Sequence, residues 1–113
     1  MIKLELLKMI LDDHLITNCE YSTDYPNIIM YGHSYELKIK KVHVGDLAFD
    51  CKKFIHEKYG VVVRSYTHDF CVSKLSYGET GDMVTSSIFC DDRSEPYTIF
   101  LASLWVVNNL SPS

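Results

Sequence analysis

The chain has 113 residues, enough for one domain with a core of its own. Hydrophobic residues make up 47% and charged residues 23%, which excludes a disordered or low-complexity chain. The net charge of −4 and the pI of about 5.6 disfavour nucleic acid as a partner, because gripping phosphates draws on a basic surface.

Residues 3–17 read as a helix. Leu4, Leu7, Leu11 and Leu15 recur at spacings of three and four, and Leu6 and Ile10 widen the stripe. Lys3, Glu5, Lys8 and Asp12 fill the other side, and Asn18 marks the stop. The charges within MIKLELLKMI and the lack of a small-residue cleavage site argue against a secretory signal. A cytoplasmic location is therefore expected, with reduced thiols at Cys19, Cys51, Cys71 and Cys90. Their spacing fits no zinc pattern, and burial as small apolar side chains is the ordinary use of such residues.

The period then changes. Asn27 to Tyr31 and Tyr35 to Val44 read as a hairpin around a Gly-His-Ser turn. Leu37 and Ile39 alternate with Glu36, Lys38 and Lys40, so the apolar pair is expected inward. The alternation slips at Lys40-Lys41, the sign of a bulge. A second helix follows in VGDLAFDCKKFIHEKYG. Asp46 is its expected cap, Leu47, Cys51, Phe54, Ile55 and Lys58 form its stripe, and Gly60 its stop. Three strands come next, Val61 to Thr67, Phe70 to Tyr77 and Met83 to Cys90, joined by short turns that imply antiparallel neighbours.

The last element begins at SEPYTIFLASLWVVNNL. Its uninterrupted apolar run, Ile99 to Val107, is nine residues, under half of the ~20 that a membrane span needs. Ser94 can cap the helix and Pro96 suits its first turn. Apolar side chains cover more than half its circumference, so it is expected to pack on the sheet, with Trp105 in that packing. The chain thus reads as an α+β single domain over 1–113 in the order α-β-β-α-β-β-β-α. Three helices pack a mostly antiparallel sheet of about five strands, and residues 111–113 form a frayed tail.

Two constellations bear on function. Asp24 followed by Glu36-x-Lys38 matches the D…ExK pattern of Mg²⁺-dependent nucleases. In that pattern two carboxylates hold the metal and the lysine orients water. Glu-x-Lys is also common on the wet face of any antiparallel strand, and Asp24 precedes a Tyr-Pro loop signal. The five histidines make no HxH or HExxH spacing, the five glycines make no phosphate loop, and no metal or cofactor is expected. A Cys–His pair such as Cys71 with His43 is available to any chain with this many of each residue. The second constellation is tyrosine, with eight copies against one tryptophan. Tyr21, Tyr25, Tyr31, Tyr35, Tyr66 and Tyr77 fall in or beside the hairpins, as cross-strand packers or as a recognition surface for a protein partner.

From Gly45 onward, the helix DLAFDCKKFIHEKYG, the strands and the closing EPYTIFLASLWVV helix resemble the phage ABA-sandwich domain. Glu95-Pro96 followed by Ile99, Leu101, Ala102 and Leu104 carries the closing pattern over about the last 65 residues. The tryptophans of that family's strands are absent, and the first helix and hairpin have no counterpart. The resemblance implies a phage or mobile-element accessory protein without a catalytic residue. It would bind a protein partner in the host cytoplasm, such as a defence or regulatory factor. Two alternatives stand beside that expectation: the nuclease on Asp24, Glu36 and Lys38, and a small-ligand-binding homo-oligomer.

Overall fold

A computed structural model describes residues 2–20, 25–33, 36–66, 69–74, 88–89 and 94–112. Two long helices organise it, α2 (Val44–Tyr59) and α3 (Glu95–Asn109), packed side by side. Around them stand α1 (Leu4–Leu11), β1 (Asn18–Glu20), β2 (Asn27–Gly32), β3 (Leu37–His43), β4 (Val61–Ser65), β5 (Asp69–Lys74) and β6 (Ile88–Phe89). The α+β class and the expected order of elements hold, with a short β1 added ahead of the five expected strands; of the last of these only 88–89 are described, and 35, 67, 75–77, 83–87 and 90 of the expected strands lie outside the described residues. Among the described residues all pairings are antiparallel, and the strands divide into two three-stranded sheets, β1-β2-β3 and β4-β5-β6.

Each sheet has its own core, and the two long helices serve both. Val44, Leu47, Ala48 and Cys51 from the first half of α2 join Ile99 and Phe100 of α3 against Ile28 and Met30 of β2. Leu6 and Leu7 of α1 close that core, as does Ile16 beyond it. Ile55 and Tyr59 from the second half of α2 join Ala102 and Val106 against Val61, Val63, Phe70 and Val72. The starts of the two helices line one groove and Tyr59 and Leu110 at their far ends both pack on the second core, so they run in the same direction; α3 serves both cores along its length, with Leu104 and Val107 against the first. Trp105 is half-buried against the second core. No helix of the described residues is long and apolar enough to cross a membrane.

The first helix is shorter than its apolar stripe. It ends after Leu11 because Asp12 turns left-handed (φ 50°) and the Asp13 amide donates to the Lys8 carbonyl. The Asp13 carboxylate then accepts from the Leu15 amide at 3.0 Å, a local bond that competes with further helix. Leu15, expected on the stripe, is 67% exposed, while Ile16 is fully buried.

The hairpin's bulge lies next to the predicted place. Tyr31 pairs with Lys38 and Met30 with Lys40, so Ile39 is the extra residue. The extra residue shifts the phase of β3. Ile39 and Val42 pack on the core three residues apart, and Leu37, expected inward, is 49% exposed. Gly32, at the end of β2, sits where the chain after α1 crosses closely, since a Cβ there would come within 2.9 Å of the Leu15 carbonyl oxygen.

The caps of α2 divide between expectation and surprise. Gly60 ends the helix at φ 68°, its amide donating to the His56 carbonyl, as its freedom from Cβ allows. At the other end, Asp46 is in the first turn and not at the cap. The cap is His43, the last residue of β3, whose Nδ1 accepts from the Gly45 amide at 2.9 Å. Asp46 complements the helix dipole from inside the turn. Ser94 holds the cap position of α3 with extended backbone but without a side-chain cap bond, and Pro96 lies in the first turn. Lys58, expected on the apolar stripe, is exposed with its ammonium 5.7 Å above the Phe54 ring.

Candidate functional site

The most distinctive surface belongs to α2. Its buried stripe faces the two cores, and on the outer side Phe49 is 67% exposed. Two grooves flank that ring. The first, about 290 Å³, lies between the starts of the two long helices and is lined by Gly45, Ala48, Phe49, Lys52, Glu95, Pro96 and Ile99. The second, about 350 Å³, runs between α2 and the edge strand β4. Phe49, Lys52, Lys53 and His56 line it with Val62 and Val63. Phe49 and Lys52 belong to both grooves.

The α2 residues involved, 45, 48, 49, 52, 53 and 56, are spaced by three and four, so they form one stripe along the helix. From Gly45 to His56 the stripe is about 16 Å long at 1.5 Å per residue. Its floor is apolar and its rim carries Lys52, Lys53, His56 and Glu95. Such a surface can hold an apolar side chain in each groove and charged groups on its rim. No Ser, Thr or Cys side chain lines either groove, and among the described residues no cluster of His, Cys, Asp or Glu is placed there to hold a metal.

The residues singled out in the sequence are distributed otherwise. Glu36 is exposed in the turn before β3, its amide donating to the His33 carbonyl, and Lys38 is exposed on the strand itself. Asp24 lies outside the described residues. Among the described residues, no group of three or more His, Cys, Asp or Glu side chains is placed to hold a metal ion. His43 and Cys71 sit in different sheets, and the His43 ring is engaged at the helix cap.

Of the six tyrosines, Tyr21, Tyr35 and Tyr77 lie outside the described residues. Tyr25 is exposed before β2 and Tyr31 half-buried near its far end. Tyr66 is exposed at the β4–β5 turn of the other sheet. The three described tyrosines are thus divided between the two sheets. Tyr66 accepts a long hydrogen bond, 3.9 Å, from the Cys71 thiol, and that contact raises the tyrosine's pKa.

Comparison with protein-family models, with curated proteins and with solved structures gives no match to this chain.

Two thiols, of Cys51 and Cys71, are buried. Cys51 is fully buried between the long helices, and burial pushes its thiol up to about 12. The neighbouring Ser103 hydroxyl pulls the other way, although its oxygen forms no hydrogen bond of full geometry within the described residues. Cys71 is buried on the face of β5 opposite the second core, beside Ser73. Neither Cys51 nor Cys71 reaches the α2 grooves, so both read as packing residues.

Reasoning from periodicity missed Phe49. It falls off the buried stripe, among Asp46, Asp50 and Lys53, and one apolar residue on a charged face is ordinary noise in a stripe count. The usable signal is its size, since an aromatic ring on the wet side of a helix leaves a large apolar area unpartnered.

Proposed function

We propose that this chain is a non-enzymatic binding protein that holds a protein partner on the outer face of α2, centred on Phe49. One observation carries the reading: a largely exposed aromatic ring standing between two apolar-floored grooves on a rigid helix. Aromatic anchors of this kind dominate the energetics of protein interfaces. The grooves are open and shallow, as protein contact surfaces are, whereas small-molecule sites enclose most of their ligand. The resemblance of the chain from Gly45 onward to phage ABA-sandwich proteins supports placing it among phage or mobile-element accessory proteins, with a host protein as partner.

The test is a selection of random displayed peptides on the immobilised protein, repeated on Phe49→Ser. The reading expects peptides that bind the parent protein and lose that binding on the variant. Peptides indifferent to Phe49, or none at all, would end it.

A further inference from the structure

We infer that the segment the α2 face takes is acidic, a large apolar side chain flanked by carboxylates. This inference rests on the binding reading above and adds the chemistry of the partner.

The charge around the second groove is one-sided. Lys52, Lys53 and His56 line it and no carboxylate does, while Phe49, Val62 and Val63 supply its apolar wall. The carboxylates of α2 at Asp46, Asp50 and Glu57 do not line this groove, although Asp50 and Glu57 stand one turn from Lys53, at i−3 and i+4. Glu95 is at the other end of the site, in the first groove, where Lys52 offsets it. The site therefore has an apolar centre and a basic end.

This basic end is set in a chain of net charge −4. An acidic partner meets a net repulsion from the chain as a whole and is drawn to this apolar groove, whose rim is cationic, which is how charge complementarity selects a docking face. Lys52 strengthens the effect. It is half-buried, with its stem between the two grooves and its position three residues from Phe49. An ammonium held beside apolar surface is less screened than one in open water, so a carboxylate arriving there gains more. A basic segment would fill the same volume but meet Lys52 and Lys53 with like charge.

The experiment uses the full chain and displayed random peptides about 12 residues long, matched to the length of the stripe. Enriched sequences are read for charge, then synthesised and titrated against the parent, Phe49→Ser and the double variant Lys52→Glu/Lys53→Glu. Vesicles of phosphatidylcholine with phosphatidylserine and the sedimentation mass of the chain alone complete the set. The expected result is enrichment in Asp and Glu around a large apolar residue. Binding should fall about tenfold or more on Phe49→Ser. On the double variant it should fall and lose its dependence on salt. Peptides that depend on Phe49 but are neutral or basic overturn the acidic partner and leave the binding reading standing. No Phe49-dependent peptide overturns both. Phe49-dependent binding to the anionic vesicles alone replaces the protein partner with a lipid surface. A dimer of the parent that Phe49→Ser dissociates replaces it with a second copy of the chain.

Discussion

The Nδ1 atom of His43 accepts a hydrogen bond from the amide of Gly45, two residues on, at 2.9 Å. The last residue of a strand thereby caps the helix that follows it, and β3 passes into α2 without a loop. The Pro26 carbonyl takes the next free donor, the Val44 amide, at 2.9 Å and ties this junction to the start of β2. Removing the ring should cost about 1 kcal/mol, the usual worth of a cap. His43→Ala should lower the urea midpoint, whereas His43→Asn, which keeps an acceptor at the cap, should restore most of it. Equal loss in both variants would show that the ring acts through packing.

Gly32 predicts a larger effect from a smaller change. The Cβ of Gly32→Ala would meet the Leu15 carbonyl oxygen at 2.9 Å, and a backbone atom cannot rotate away. The chain after α1 must then lift from β2, and Ile16 with it. Overpacking of this kind costs about 1–3 kcal/mol. A thermal midpoint unchanged by Gly32→Ala would mean that the segment moves freely.

Phe100 predicts the steepest loss. It is fully enclosed in the first core and meets Tyr97 edge to face, with ring centroids 5.7 Å apart. Phe100→Ala should cost about 3–5 kcal/mol, a large share of the ~5–15 kcal/mol that holds such a domain together. Phe49→Ser, on the same scale, should stay within about 0.5 kcal/mol, because the ring is largely in water. Denaturant titration of both variants separates the core aromatic from the surface one. Comparable losses would refute the assignment of Phe49 to the binding surface.

Cys51 makes stability depend on alkaline pH. Burial holds its thiol neutral up to about 12, against 9.0 for a free thiol. The folded state therefore binds this proton more tightly than the unfolded state. The contribution is fully present below pH 9.0 and drains away as the pH climbs toward 12. The whole span corresponds to about 4 kcal/mol as an order of magnitude. The stability difference between the parent and Cys51→Ala should accordingly shrink above pH 9.0, and Cys51 should resist alkylation in the native protein at neutral pH. A difference that stays flat with pH would place Cys51 in contact with solvent.

Much of the architecture was legible because it rests on local chemistry. Gly60 announces the end of α2, Pro96 the start of α3, and the run from Ile99 to Val107 its burial. What escaped depends on neighbours distant in sequence. The apolar stripe of the first helix continues to Leu15, yet the Asp12-Asp13 pair ends the helix at Leu11 through bonds that a stripe count does not weigh. The slip at Lys40-Lys41 signalled a bulge, but its site at Ile39 is set by the pairing of Met30 and Tyr31. The division into two sheets was hidden because every strand run looks alike. Only the contacts of α2 and α3 tell which strand belongs to which core. The candidate site was the least legible part. The tyrosines drew attention by number, whereas Phe49 matters by position, and position on the wet face emerges only once Val62 and Pro96 are seen beside it.

Because α2 and α3 carry side chains of both cores, neither long helix keeps its full packing when one sheet is lost. Melting of β4 and β5 would strip Ile55, Tyr59, Ala102 and Val106 at once, and the same two helices would then unravel toward Leu47 and Phe100. Partial opening therefore has little to gain over complete opening. The amides of Met30 in one sheet and Val72 in the other should exchange their hydrogens at a common, slowest rate, as parts of a single cooperative unit.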